Sequence, residues 1–520
     1  MHLLKRLLPK SETLLLAIES VFYLAILCFF ASPWPMHLNT HVLGGGDAYT
    51  FIYKLSWWGD SIKSFSSPYR PLPLVGIFEP TLPAYHDQTP FASFIGGLLT
   101  IFISPILAYN FLVIAFYLAN ALSMSALARY LTKSNAAAWF AGTAFAWSPY
   151  IVFRYSGHFN LIQIFGLPLA VLFFEKYIES RLQKYLVFSG LSMALLSLAS
   201  PYYLFLLAPP FFLYIFLRKI SAATPLKDLL ILLSVWIIIV IPLLVIPYQS
   251  LNRQPWPAKD IFDGSASIWS YLLPFAKIPS HKGLPEADAL YISFILPLLA
   301  MCGFLQAHRF LRVPLLSIAA LSFFISFGPA FIFYRPPFNS MRCPCRAGLV
   351  VFFVFIIFAA FAVAKFFQKR RAVLVIPLIV ALLYFWGTMH FVSSDARANA
   401  TELYLASGAG SIGVLPFDGL YQERVVWGTY FHKRRVLTLL GGSQQSFEVN
   451  LYRDALAKVY PSETAADITQ ELGATNILLY LTSNPLIRTE RLKNITAWKK
   501  WEIKVVADDW AVLAKTKSPD

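Results

Sequence analysis

Read for polarity alone, residues 1–392 alternate long apolar runs with short polar turns. A helical crossing of a bilayer takes about twenty apolar residues. On that rule eleven segments are candidates to span: 13–31, 104–128, 136–152, 161–174, 185–199, 202–217, 229–247, 290–305, 313–333, 347–364 and 373–392. Between the first two, Tyr49, Phe51, Ile52, Leu55, Trp57, Trp58 and Ile62 interleave with Lys54, Asp60 and Lys63, which predicts an amphipathic helix lying along the membrane interface. Residues 72–90 are proline-rich and predict irregular chain before a short apolar helix beginning near Phe91. From about Ser393 the pattern becomes that of a water-soluble domain. Segments 412–417 and 476–481 read as strands, 462–472 as an amphipathic helix, and 501–506 with 510–514 as a closing hairpin around 507–509. The expected organisation is a membrane domain over 1–392 followed by a small α/β domain over 393–520.

Composition agrees with the pattern. Hydrophobic residues make up 57% of the 520 positions and charged residues 13%, against roughly 25% charged in an ordinary soluble domain. The net charge of +16 raises the possibility of a nucleic-acid partner, but the lysines and arginines form no single basic stripe. They follow topology instead. With the N-terminus inside, the inner turns carry Lys5, Arg6 and Lys10; Arg129 and Lys133; Lys176, Arg181 and Lys184; Arg218, Lys219 and Lys227; Arg309 and Arg312; and Lys365, Lys369, Arg370 and Arg371. This positive-inside arrangement puts the C-terminal domain outside. The basic N-terminus and its apolar run, with no small-residue cleavage site after them, read as a retained signal anchor. Cys28, Cys302, Cys343 and Cys345 are too few for a disulfide framework, and the Cys343/Cys345 spacing has no second pair with which to build a zinc site.

Two outer loops, 34–103 and 249–289, are long and too aromatic for disorder, so they read as folded caps over the outer face. The first holds Gly44-Gly45-Gly46-Asp47, a carboxylate in a glycine turn at the start of a helix. A helix-capping role is one reading of Asp47; a general base at the membrane surface is the other. His86 and Asp87 form a second acidic element of that loop, or a plain ion pair. The outer turn Arg154-Tyr155-Ser156-Gly157-His158-Phe159-Asn160 carries a cation, an imidazole and an amide at bilayer level, where polar groups are costly unless paired or wet. Arg335, Arg342 and Arg346 flank Cys343-Pro344-Cys345 in another outer turn. Guanidinium groups there suit a lipid phosphate or pyrophosphate, or else snorkel to headgroups. Glu19, inside the first run, is given no role. The C-terminal domain has no phosphate-binding glycine fingerprint, nucleophile elbow or metal-spaced histidines, so it is expected to serve acceptor binding, positioning or stability.

An inner N-terminus, an acid soon after the first span, an in-plane helix and an outer C-terminal domain resemble the type C glycosyltransferases, membrane enzymes that use polyprenyl-phosphate sugars. Gly46-Asp47 with Trp57-Trp58, Ser156-Gly157-His158-Phe159-Asn160-Leu161 and Arg342-Cys343-Pro344-Cys345-Arg346 resemble motifs of a poorly characterised bacterial group among them. The resemblance implies a fold of about eleven transmembrane helices with an extracytoplasmic α/β domain, in the bacterial inner (plasma) membrane. It also implies inverting transfer of a hexosyl or pentosyl group from a polyprenyl-phosphate-linked donor to an envelope glycan, lipid or protein. Asp47 would be the base, Arg154, His158, Arg342 and Arg346 the donor-phosphate ligands, and Asp87, His86 and Asn160 the acceptor-side or second acidic element. Membrane lipids are expected partners and nucleic acid is not. The residues name no definite cofactor, and a divalent metal is left open. The chain lacks the Trp-Trp-Asp motif of oligosaccharyltransferases, and Asp47 precedes alanine where protein mannosyltransferases carry a second acid, which puts peptide acceptors in doubt. Two other readings stay open: a polyprenyl-lipid or glycolipid transporter or flippase, although no internal repeat is evident, and a non-catalytic envelope assembly factor.

Overall fold

The computed structural model describes residues 10–70, 89–155, 157–222, 225–249, 258–272, 289–330, 341–367, 393–409, 411–415, 427, 429–433, 436–437, 462–471, 474–481, 485–507 and 510–516. Its helical part begins with α1 (Lys10–Phe30), a short strand β1 (His41–Leu43), α2 (Asp47–Lys63) and α3 (Pro90–Thr100). It continues through α4 (Pro105–Thr132), α5 (Asn135–Ala146), α6 (Pro149–Arg154), α7 (Gly166–Ser180), α8 (Lys184–Ala199), α9 (Pro201–Leu206), α10 (Ala208–Ala222) and α11 (Leu226–Gln249). Two short helices, α12 (Ala258–Asp263) and α13 (Ile268–Leu272), precede α14 (Ile295–Gln306), α15 (Arg309–Ser326) and α16 (Leu349–Phe366). Among the described residues six helices are long and apolar enough to cross a membrane, with three shorter apolar helices beside them. The run 373–392 lies outside the described residues, as do 72–88 and most of 249–289.

Proline and polar caps decide where the apolar runs break. Ser104 Oγ accepts from Leu107 N at 3.2 Å ahead of Pro105, and α4 ends at Lys133 in a left-handed conformation. The expected span 136–152 is divided at Ser148-Pro149, and 202–217 is divided after Leu206. Proline removes an N–H and fits only the first turn of a helix, so a new helix starts at each such point. Two buried asparagines on α4 then satisfy chain that is not helical. Asn110 Nδ2 donates to Leu38 O and His41 O, each at 2.7 Å. Asn120 Nδ2 donates to Ile162 O at 2.7 Å while its Oδ1 accepts from Ile164 N at 3.1 Å. Irregular backbone at this depth is tolerated only with such partners.

The helix expected over 49–62 forms as α2, but it does not lie with one face open. Ala48, Thr50 to Ser56, Gly59 and Ser61 are buried. Cover comes from α3 and from the returning segment, where Trp57 Nε1 donates to Pro68 O at 3.0 Å and the Arg70 guanidinium sits 4.3 Å from the Trp57 ring.

The C-terminal part carries β2 (Ser393–Asp395), α17 (Ala400–Ala406), β3 (Ser411–Leu415), β4 (Val436–Leu437), α18 (Glu463–Glu471), β5 (Ala474–Tyr480), α19 (Pro485–Thr496), β6 (Trp501–Ala507) and β7 (Trp510–Lys515). The sheet runs β4-β3-β5-β7-β6, with β3 parallel to β4 and β5, and β7 antiparallel to β5 and β6. The strands, helix and hairpin expected from the alternation are all present. Period-two alternation sorts the side chains: Ile477, Leu479 and Leu513 pack with Trp501 and Ala465 of α18, whereas Leu478, Tyr480 and Val512 join the core that continues into the helical part. Asn399 opens α17 as a capping box with Glu402.

Candidate active site

Asp47 is the first residue of α2, after Gly46, so its carboxylate stands at the positive end of the helix dipole. Two of the three preceding glycines use backbone conformations that side chains disfavour, Gly44 at φ 86° and Gly46 at φ 49°. Asp47 is half-buried, and Tyr109 of α4 lies within electrostatic range of it. No hydrogen bond or ion pair engages its carboxylate among the described residues.

The turn after α6 is packed directly on this acid. Gly157 sits at φ 143°, and a Cβ there would collide with the Gly45 carbonyl and lie 3.4 Å from Ala48 N and 3.6 Å from Asp47 N. The turn is closed by His158 N donating to Arg154 O at 2.9 Å and Leu161 N to His158 O at 2.8 Å. Phe159 seals it, its ring 5.4 Å from Phe51 of α2 and 4.9 Å from Tyr109. Two motifs more than a hundred positions apart thus meet backbone to backbone, bringing the segment that carries Arg154 and His158 to Asp47. His158 is half-buried and stacks on Phe153 with ring centres 6.0 Å apart.

Arg154 is 0% exposed, with its guanidinium 4.7 Å from the Tyr150 ring and 5.2 Å from that of Phe153. Arg346 is 5% exposed and stands in the 3-10 turn Pro344–Gly348 that leads into α16, its guanidinium 3.8 Å from the Tyr202 ring. Tyr150 and Tyr203, whose hydroxyls are 3.4 Å apart, lie within electrostatic range of both guanidinium groups. Tyr203 also donates to Leu161 O, so one aromatic group joins the two arginines and the His158 turn. A guanidinium is planar, always charged and able to stack on an aromatic face. Arg342 is half-buried on the segment leading to Arg346. Asn160 is buried and donates to Ser200 Oγ at 3.3 Å, tying the turn to the start of α9. His86 and Asp87 lie outside the described residues. Among the described residues no three His, Cys, Asp or Glu side chains are grouped so as to hold a metal ion.

Sequence reasoning missed the aromatic group of Tyr150, Tyr202 and Tyr203, the two asparagines of α4, and Lys54. Lys54 is 3% exposed, on the same face of α2 as Asp47 two turns on, with Nζ 5.3 Å from the Phe51 ring. An asparagine inside an apolar run was the available signal for Asn110 and Asn120. A cavity of about 540 Å³ lined by Lys133, Asn135, Gln306 and Lys365 lies at the far end of α4. That is roughly 35 Å from Tyr109 at 1.5 Å per residue, so it takes no part in chemistry at Asp47.

This architecture is the type C glycosyltransferase fold. Its solved neighbours include the arabinofuranosyltransferase AftD from Mycobacteria, at TM-score 0.57 and 12% identity over 96% of this chain and 41% of that one. ArnT from Cupriavidus metallidurans bound to undecaprenyl phosphate matches at TM-score 0.52 and 12% identity, covering 96% of this chain and 98% of that one. An Archaeoglobus fulgidus oligosaccharyltransferase in complex with zinc and sulfate matches at TM-score 0.51 and 14% identity, covering 90% and 68%. No protein-family model and no curated protein matches the chain by sequence.

Proposed function

We propose that the protein is a membrane glycosyltransferase that moves a sugar from a polyprenyl-phosphate carrier to an envelope glycan, lipid or protein at the outer face of a bacterial inner membrane. The observation that carries this reading is the packing of the Gly157 turn on the Asp47 turn, which sets a carboxylate beside the segment bearing Arg154 and His158. In the reaction Asp47 takes the proton of the acceptor hydroxyl as its oxygen forms a bond to the anomeric carbon. The bond from that carbon to the phosphate oxygen breaks with its electron pair, and the polyprenyl phosphate leaves. Attack opposite the leaving group inverts the anomeric centre. Arg154, Arg346, Arg342 and His158 stabilise the charge that grows on the phosphate. Support for a lipid-phosphate donor comes from the fold shared with a protein solved with undecaprenyl phosphate, and from the two arginines gathered around Tyr150 and Tyr203.

The test is sugar transfer by purified protein in nanodiscs from a panel of polyprenyl-phosphate sugars, wild type against Asp47→Asn. General-base catalysis is worth about 10²- to 10⁴-fold. The variant should therefore lose turnover by that much while binding donor as tightly as wild type. Equal turnover by the two proteins would remove Asp47 from the chemistry, and movement of labelled lipid across the bilayer without transfer would replace the enzyme with a carrier.

A further inference from the structure

The Asp47 turn is held from two sides, and the second side comes from the far end of the chain. Strand β1, three residues before the turn's last glycine, pairs antiparallel with β2, His41 opposite Asp395, Val42 opposite Ser394 and Leu43 opposite Ser393. Beyond the antiparallel ladder, a separate parallel bridge links Gly44 to Ser393, and Ser394 Oγ lies close to Gly45. Ala396 N donates to Thr40 O at 2.8 Å, and Ala396 O accepts from the buried Trp427 Nε1 at 2.8 Å. Within the first turn of α2, Tyr49 donates its hydroxyl to Asp395 O at 3.1 Å. A further link runs from Tyr53 to Thr429, with burial pushing the Tyr53 hydroxyl up to about 12. The pairing of β2 with β1, its bridge to Gly44 and the Tyr49 hydrogen bond to Asp395 thus reach residues that shape the Asp47 turn and the first turn of its helix.

We infer that β2 and Tyr49 are positioning elements for Asp47, so that the C-terminal domain sets the geometry of the base through a two-stranded clamp. This rests on the reading of Asp47 as the base. A two-stranded pairing is marginal by itself. The glycine turn between the clamp and α2 has little stiffness of its own, because glycine leaves most of backbone space open. Holding a catalytic group within a fraction of an ångström requires such support. Removing one strut should therefore lower the rate of the chemical step and leave donor binding, which is served by Arg154 and Arg346 on other elements, unchanged.

The experiment uses the full-length protein in nanodiscs with two variants, Tyr49→Phe and Ala396→Pro. Hydrogen exchange is read at residues 44–49, with β5 and β7 as the folding control. Tyr49→Phe, which loses one hydrogen bond, should raise exchange at 44–49 about fivefold, and Ala396→Pro, which loses the N–H to Thr40, about tenfold or more. Exchange in β5 and β7 should not move. With an active donor, Tyr49→Phe should lower kcat about fivefold at unchanged donor Kd and KM. Unchanged exchange at 44–49 in Tyr49→Phe overturns the clamp, as does a kcat equal to wild type. If Ala396→Pro also loosens β5 and β7, Tyr49→Phe alone decides. If wild type transfers no sugar, the enzyme reading fails, and the exchange result decides the clamp separately.

Discussion

Gly157 and Gly45 touch through their backbones, and no residue with a side chain fits at Gly157. The contact is required twice over, since φ is 143° and the Gly45 carbonyl occupies the space a Cβ would need. Gly157→Ala therefore has to move one of the two turns. The strained backbone alone costs on the order of 1–3 kcal/mol. We expect a lower melting temperature and a loss of turnover of at least about tenfold. Gly46→Ala is the comparison: its φ of 49° is also disfavoured, but nothing occupies the space beside it. Thermal unfolding and transfer rates should rank the two, with Gly157→Ala the more severe. Equal effects would mean that the contact between the turns contributes nothing beyond backbone strain.

At the opposite end of the bundle, Glu175 and Arg218 form a buried two-pronged ion pair, Nε to Oε1 at 2.8 Å and Nη2 to Oε2 at 2.6 Å. Tyr214 donates to the same carboxylate at 2.7 Å, and the guanidinium lies 4.6 Å from the Phe310 ring, so the pair joins α7, α10 and α15. Breaking such a pair by removing one partner typically costs about 3–5 kcal/mol, because the other charge stays buried. Glu175→Gln should lower thermal stability sharply, and Glu175→Gln with Arg218→Met should recover much of the loss. The check is a melting series on the single and double variants in one lipid. Additive losses would show that the two residues do not act as a pair.

The apolar runs placed most of the helices because each is amphipathic or apolar over its own length, and the alternation at 476–481 and 510–514 placed the central strands for the same local reason. What escaped was long-range. The burial of α2 depends on 64–70 folding back and on α3, and a helix made to lie under other chain shows the same alternation as one lying on a lipid surface. The breaks at Pro149 and after Leu206 were legible as prolines, but an apolar run long enough to span hides them. At the site, Asp47 stood out as an acid in a glycine turn, and Arg154, His158 and Arg346 as polar residues in outer turns. Nothing local announces that Gly157 meets Gly45, that Tyr150 and Tyr203 lie within range of both arginines, or that residues 393–395 pair with 41–43.

The C-terminal domain carries its own acid-sensitive contact. Asp467 of α18 accepts from Lys500 Nζ at 2.7 Å and from Trp501 Nε1 at 3.0 Å. The hydrogen bond from the Lys500 ammonium, aided by Trp501, holds its carboxyl below the usual carboxylate range. The unfolded chain then binds this proton more readily than the folded one, so stability rises with pH across that interval. The contribution is complete above the unfolded value of about 4 and is lost as pH falls through the lower folded value. Both side chains are partly exposed, so the effect is small and screened by salt. Asp467→Asn should raise hydrogen exchange in β6 at neutral pH, and the gap from wild type should close as pH is taken down through the lowered folded value. A gap that stayed constant with pH would assign the effect to the Trp501 hydrogen bond rather than to charge.

Arg346 on Tyr202 gives the sharpest test of the proposed donor-phosphate site. The guanidinium lies 3.8 Å from the ring centre at 5% exposure, a stacked arrangement that a lysine cannot reproduce, since an ammonium has neither a flat face nor a two-pronged edge. Arg346→Lys keeps the charge and loses both. If the arginine grips the phosphate more tightly as charge develops there, kcat falls along with donor affinity, and kcat/KM should drop by about a hundredfold. Tyr202→Leu removes the aromatic platform and leaves the guanidinium in place. A cation–π contact is worth roughly 0.5–2 kcal/mol, so donor binding should weaken about 2- to 30-fold with kcat less affected. Combining the two should cost little more than Arg346→Lys alone, because the ring acts through the guanidinium. Steady-state kinetics and donor titration on the three variants decide it. Full additivity would separate Tyr202 from Arg346, and an unchanged donor Kd in Arg346→Lys would move the phosphate site away from this arginine.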